Sequence, residues 1–139
     1  MSSVPPSAPS ATSFPFFEEA VQAGFPSPAA GDLHGHLDLT ELCVKHPQAT
    51  YFLRARGESM IGAGISDGDV LVVDRALQAR NGDIVIASVH GEFTVKRLEM
   101  GEHRVRLVAE NPLFQAIEID ADSDAEFFGV VSSVVKMLR

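Results

Sequence analysis

The sequence predicts a mainly β protein: one compact antiparallel β domain preceded by a flexible N-terminal arm. Three observations predict it. From residue 50 onward, short runs rich in Val, Ile and Phe alternate with turn chemistry every few residues. Only one stretch has helical periodicity. The first thirteen residues, Met-Ser-Ser-Val-Pro-Pro-Ser-Ala-Pro-Ser-Ala-Thr-Ser, carry no charged side chain and little apolar mass, so they cannot offset the entropy of ordering.

The elements follow in order. Residues 1–13 read as a disordered tail. Residues 14–37 read as an N-terminal arm and extended connection. Phe14, Phe16, Phe17 and Phe25 cluster around Glu18-Glu19; they either pack on the domain's own core or meet a partner. Pro26 and Pro28 keep their stretch extended. Residues 38–139 form the β domain. It opens on a helix, Asp38 to Lys45, which Asp38 caps and in which Leu39, Leu42 and Cys43 share a core-facing side. His46-Pro47 ends that helix. The strands are Tyr51 to Ala55, Val70 to Val73, Asp83 to Val89, Glu92 to Arg97, Arg104 to Ala109, Ala116 to Ile119 and Phe127 to Lys136. His90-Gly91 joins two alternating runs and predicts a tight hairpin.

The totals exclude several classes. The chain has 139 residues and a formal net charge of −8, from 11 basic and 19 acidic side chains. Tight duplex binding needs cations that displace counterions from phosphate, so direct sequence-specific DNA binding is not expected. Arg104 and Arg106 read as the solvated face of a strand. A single cysteine, Cys43, cannot form an internal disulfide and suits a reducing compartment. No membrane span and no secretory signal are apparent, and cytoplasm is the expected location.

The chemistry concentrates on two residues. Ser59 lies in Arg56-Gly57-Glu58-Ser59-Met60, just past a strand, where a helical turn can begin. It is either an N-cap or an exposed nucleophile, with the Glu58 and Ser59 N–H groups as candidate oxyanion donors. Lys96 lies in a strand and shares a face with Thr94. It is either solvated, as most lysines are, or desolvated enough to stay neutral and act as a base. Ala23-Gly24, upstream of both, is a small-residue bond in a loosely held segment. His34-Gly35-His36 with Asp38 lacks the third nearby histidine of a metal site, so neither metal nor cofactor is expected. A Ser-His-Asp arrangement using Ser59 stays open.

Gly57-Glu58-Ser59-Met60, followed by Gly64-Ile65-Ser66-Asp67-Gly68-Asp69, resembles the nucleophile region of the LexA/UmuD self-cleaving proteins. Gly91 to Arg97 resembles their lysine strand and Ala23-Gly24 their cleavage site. Gly24-Phe25-Pro26-Ser27-Pro28, His46-Pro47, Ala49-Thr50-Tyr51-Phe52 and Phe128-Gly129-Val130-Val131 resemble the UmuD branch. The resemblance spans roughly residues 14–139. It implies a fold of the LexA C-terminal-domain type, with Ser59 as nucleophile and Lys96 as general base. It further implies a homodimer that a RecA–single-stranded-DNA filament stimulates to cut itself at Ala23-Gly24 in the SOS response. The shortened form would partner a UmuC-type Y-family polymerase in error-prone translesion synthesis, with replicative polymerase subunits as further partners. Cleavage would remove Glu18 and Glu19 and change the formal charge only from −8 to −6, so it would act by freeing a surface. Two other readings remain: a non-enzymatic polymerase accessory module, and a LexA- or phage-type repressor lacking its DNA-binding domain.

Overall fold

A computed structural model describes residues 8–17 and 33–139. The chain divides into two compact units, Met1–Lys45 and His46–Arg139.

In the first unit, β1 (Ser13–Phe17) pairs antiparallel with β2 (Leu33–Asp38), with Ser13 opposite Asp38 and a register shift after Phe16. Neither strand is among those the sequence predicts. Phe14-Pro15-Phe16-Phe17 is nearly all apolar, and the alternation of Leu33-His34-Gly35-His36-Leu37-Asp38 is broken by a glycine and runs into the helix cap, so their mutual pairing is what establishes them. Ser13 is buried, its hydroxyl donating to the Ala8 carbonyl (3.0 Å) and accepting from the Ser10 amide (2.8 Å). Phe14 is exposed; Phe25 lies outside the described residues. Helix α1 (Leu39–Cys43) is shorter than predicted. Asp38 caps it as expected, accepting from the Thr40 and Glu41 amides, and also accepts from the Thr12 hydroxyl at 2.6 Å. That hydroxyl bond, with the two amides, outweighs partial burial and holds the Asp38 carboxyl below its usual range. Five residues form barely more than one turn and present no buried side: Leu39 is exposed and Cys43 half-buried. The core-facing stripe expected of Leu39, Leu42 and Cys43 is therefore not formed.

The second unit is a seven-stranded antiparallel sheet. Its strands are β3 (Thr50–Arg54), β4 (Val70–Asp74), β5 (Ile84–Val89), β6 (Glu92–Met100), β7 (Val105–Val108), β8 (Ile117–Ile119) and β9 (Ala125–Val135), in the order β3-β4-β9-β5-β6-β7-β8. Every strand predicted beyond residue 50 is present, displaced at its ends by no more than three residues. The two-residue loop His90-Gly91 has positive φ at both positions (52° and 81°), the primed-turn geometry that matches strand twist.

The last strand, β9, crosses the sheet to lie between β4 and β5, and it bulges twice. Its register slips opposite Val72/Val73 and opposite Ile86/Ala87. Gly129 sits beside the second slip with φ 141°; a Cβ there would lie 2.6 Å from Val73 Cγ1. The bulges let one long strand curl around two cores. Ala55, Met60, Ile65, Leu71, Val73 and Ile86 form one core; Val85, Ala87, Leu98, Leu107 and Val130 form the other. Period-two alternation places Ile86 and Val85 in different cores.

Ion pairs close the periphery. The buried Asp69 accepts from Lys136 Nζ at 2.5 Å and from the Ser66 amide, tying the end of β9 to the loop before β4. Asp74, also buried, meets His46 Nδ1 at 2.6 Å. Arg104 pairs with Glu118 and Arg106 with Glu99, each at 2.5 Å, so the two alternating arginines are engaged by carboxylates on their own sheet.

Candidate active site

The serine arrives on a loop that two tight backbone positions shape. Gly57 (φ 82°) turns the chain out of the sheet after Ala55, and its N–H donates to Asp67 Oδ1 at 2.8 Å. Met60, 2 % exposed, anchors the loop in the first core. A single 3₁₀ turn, Ile61–Ala63, follows and closes at Gly64 (φ 82°). The helical turn predicted near Ser59 therefore exists but is only three residues long. So short a turn has little aligned dipole, and any oxyanion stabilisation must come from individual amides.

Asn111 holds this loop from the other side. Its Nδ2 donates to the Glu58 carbonyl at 2.9 Å, and its Oδ1 accepts from the Leu113 amide at 3.0 Å. The Gly62 amide donates to the Glu110 carbonyl at 2.8 Å. Sequence reasoning passed over Asn111. The signal available was the turn dipeptide Asn111-Pro112 after a strand, which points to a bend and not to its distant partner.

The lysine arrives on β6, opposite Val85 of β5, near the centre of the sheet. Thr94 lies on the same face, as strand alternation requires. Lys96 is 9 % exposed, which rules out the solvated-lysine reading. Its Nζ lies 3.0 Å from Ser59 Oγ, 2.7 Å from Thr94 Oγ1 and 3.1 Å from the Val95 carbonyl. All three neighbours are uncharged. Burial therefore goes uncompensated by a carboxylate and pushes the Lys96 ammonium below the ordinary lysine range. Ser59 Oγ caps no helix: the residue preceding the 3₁₀ turn is Met60, and the side-chain partner of Ser59 is Lys96, not a histidine.

Ser59 and Lys96 open into a cleft of about 260 Å³, walled by Leu53, Arg54, Ile86, Phe93 and Thr94. A second hollow of about 480 Å³ shares Phe93, Thr94 and Lys96 and extends to Phe114 and Ile117. Phe93 is 67 % exposed at the junction, with its ring tilted against Phe128 at 5.0 Å. The cleft thus combines apolar side chains with the Ser59 and Thr94 hydroxyls, the Lys96 amine and the guanidinium groups of Arg54 and Arg56, a few polar groups set in an apolar hollow, as in a binding site. Among the described residues, neither the Glu58 nor the Ser59 N–H donates to another protein group. Ala23 and Gly24 lie outside the described residues, as does Asp32. Among the described residues no three His, Cys, Asp or Glu side chains gather as a metal-binding group. No described helix is long and apolar enough to cross a membrane.

Comparison with known proteins gives the family. The Peptidase S24-like family matches residues 15–132. Protein MucA of Salmonella typhimurium is 51 % identical over 121 residues, covering 86 % of this chain and 82 % of its own length. Protein ImpA of Salmonella typhimurium is 46 % identical over 126 residues, 90 % of this chain and 85 % of its own. The LexA repressor of Dechloromonas aromatica is 41 % identical over 120 residues, 86 % of this chain but 58 % of its own length. On the extent of these matches, and on a mainly antiparallel β architecture that agrees with them, the chain belongs to the Peptidase S24-like family of LexA/UmuD-type proteins.

Proposed function

We propose that this chain is a single-turnover serine peptidase of the SOS response whose substrate is its own N-terminal arm. Ser59 attacks the Ala23 carbonyl, Lys96 is the general base, and the Ala23–Gly24 bond is cut. A RecA–single-stranded-DNA filament stimulates the reaction by favouring the conformer with the arm seated in the cleft. The shortened chain, as a homodimer, serves a UmuC-type polymerase in translesion synthesis. The observation that carries this reading is the buried Lys96 Nζ at 3.0 Å from Ser59 Oγ, with no carboxylate paired to it among the described residues.

The hydrogen-bond count around Nζ suits a base. A neutral amine has two N–H donors and one lone pair. The Thr94 hydroxyl and the Val95 carbonyl can take the two N–H groups, which leaves the lone pair for the Ser59 hydroxyl proton. Ser59 Oγ then bonds the Ala23 carbonyl carbon, and its proton moves to Nζ. The oxyanion is met by the free N–H groups of Glu58 and Ser59. Collapse expels the Gly24 amine, which takes the proton from Nζ, and leaves an ester on Ser59. Water, deprotonated by Lys96, hydrolyses that ester and frees the Ala23 carboxylate. Ala23 precedes Ser59 by 36 positions. An extended chain of that length spans at most about 120 Å, so reach does not limit the reaction.

Incubation of the intact protein at alkaline pH, followed by mass spectrometry, tests this reading. It predicts a new N-terminus at Gly24, faster cleavage when RecA filament and nucleotide are added, and no cleavage in Ser59→Ala or Lys96→Ala. A chain that stays whole under both conditions would instead be a binding module.

A further inference from the structure

We propose that Asn111 is a positioning residue for the reaction, acting through the peptide that joins Glu58 to Ser59; this rests on the self-cleavage reading above. A trans peptide is planar, so its C=O and N–H point to opposite sides. The Glu58 carbonyl and the Ser59 N–H belong to one such unit. Asn111 Nδ2, 2.9 Å from the Glu58 oxygen, therefore sets the direction of the Ser59 N–H, which lies in the same plane and points the opposite way. It also polarises that N–H, because a donor on the carbonyl strengthens the amide's own donation.

The Asn111 side chain is suited to this task. It is buried at 8 % exposure, and both ends of its amide are engaged. Oδ1 takes the Leu113 N–H at 3.0 Å, so the amide cannot flip without losing both bonds. The Ile61 N–H reaches the same Glu58 carbonyl only at 3.4 Å.

The neighbouring residue completes a clasp. The Glu110 carbonyl accepts the Gly62 N–H, three residues beyond Ser59, at 2.8 Å, and a Cβ at Gly62 would lie 2.6 Å from that oxygen. The Glu110 carboxylate pairs with Arg97, the residue after Lys96 on β6. Two consecutive residues, Glu110 and Asn111, thus tie the serine loop to the lysine strand.

Filament-independent cleavage of the full chain across alkaline pH tests this. Losing a whole oxyanion donor costs about 10²–10³ in rate; misdirecting one through Asn111→Ala should lower the plateau rate about 10-fold or more. The pH midpoint should stay where the wild type has it, since Lys96 is untouched. A plateau equal to wild type overturns the proposal. So does a midpoint displaced toward the ordinary lysine value with the full rate recovered at high pH, because Asn111 would then only keep Ser59 over Lys96. If Asn111→Ala does not fold, Asn111→Asp is read instead. It keeps the acceptor for Leu113 but loses the donor to Glu58, and the same plateau loss is expected. A wild-type chain that does not cleave would sink the self-cleavage reading itself; one that cleaves no faster than these variants sinks only this inference.

Discussion

Replacing Lys96 with Met should couple stability and reactivity through a single proton. The side chain is 9 % exposed, and its three neighbours, Ser59 Oγ, Thr94 Oγ1 and the Val95 carbonyl, are all neutral. Burial thus lowers its folded pKa below the ordinary value of 10.5. Between the folded and unfolded values, the unfolded chain holds one proton more than the folded chain. Unfolding free energy then rises with pH by about 1.4 kcal/mol per pH unit. Below the folded pKa both states are charged, and the whole cost of burying the ammonium is present. A methionine has no such term. The difference in unfolding free energy between Ser59→Ala and Ser59→Ala/Lys96→Met, measured by urea titration at a series of pH values, should be flat at low pH. It should then tilt in favour of the lysine chain by that slope. If Ser59 is the nucleophile proposed above, the alanine at 59 keeps the chain whole during the measurement. The hydrogen bonds lost with the lysine add an offset that does not vary with pH.

On the self-cleavage proposed above, the same proton should govern the rate. In the wild type the neutral fraction of Lys96, and hence the first-order rate, should climb tenfold per pH unit below the folded pKa and level off above it. The bend in the rate profile and the onset of the stability slope should fall at one pH, because both report Lys96 in the folded state. A rate bend at the ordinary lysine value, or a stability difference without slope across the window, would refute the claim that desolvation tunes this residue.

Other perturbations have definite directions. Gly129→Ala should lower unfolding free energy by about 2–4 kcal/mol in denaturant titration, through a Cβ at 2.6 Å from Val73 Cγ1 and a φ of 141° that alanine tolerates poorly. Gly62→Ala must push its loop off the Glu110 carbonyl; displacements of about 1 Å near a reacting centre can cost about 10²-fold, so gel-monitored cleavage should slow strongly while circular dichroism changes little. Lys136→Met should make the fold more sensitive to acid. The Asp69 carboxyl is held below its usual range by the hydrogen bonds from Lys136 and the Ser66 amide. That contribution is full above the unfolded carboxylate value and is lost as pH falls through the lower folded one. Without Lys136 the acid-unfolding midpoint should therefore rise.

The legibility of this chain was uneven for physical reasons. β4, β5 and β6 announce themselves because half-buried strands alternate and buried ones run apolar, as Val70-Leu71-Val72-Val73 does. The His90-Gly91 turn is local chemistry and was read correctly. β1 and β2 escaped because each depends on the other across a long intervening segment. Helix α1 was overextended because capping and spacing are local, whereas the burial that stabilises a short helix is not. Asn111 escaped for the same reason: its partner, Glu58, is 53 positions away.

The sequence by itself determined the residue types of the site, the strand that carries Lys96, the turn that exposes Ser59 and the acidic balance that disfavours a DNA-binding role. Local patterns suffice for these, because they depend on backbone preference and composition. Only the tertiary structure decided that Ser59 and Lys96, 37 positions apart, stand at 3.0 Å, and that among the described residues no carboxylate pairs with the lysine. It also decided which of two readings each residue takes: hydroxyl facing an amine instead of a helix end, and amine in the sheet instead of in water. Desolvation is the reason. It depends on everything that surrounds a group, and that surrounding forms only when the strands have packed.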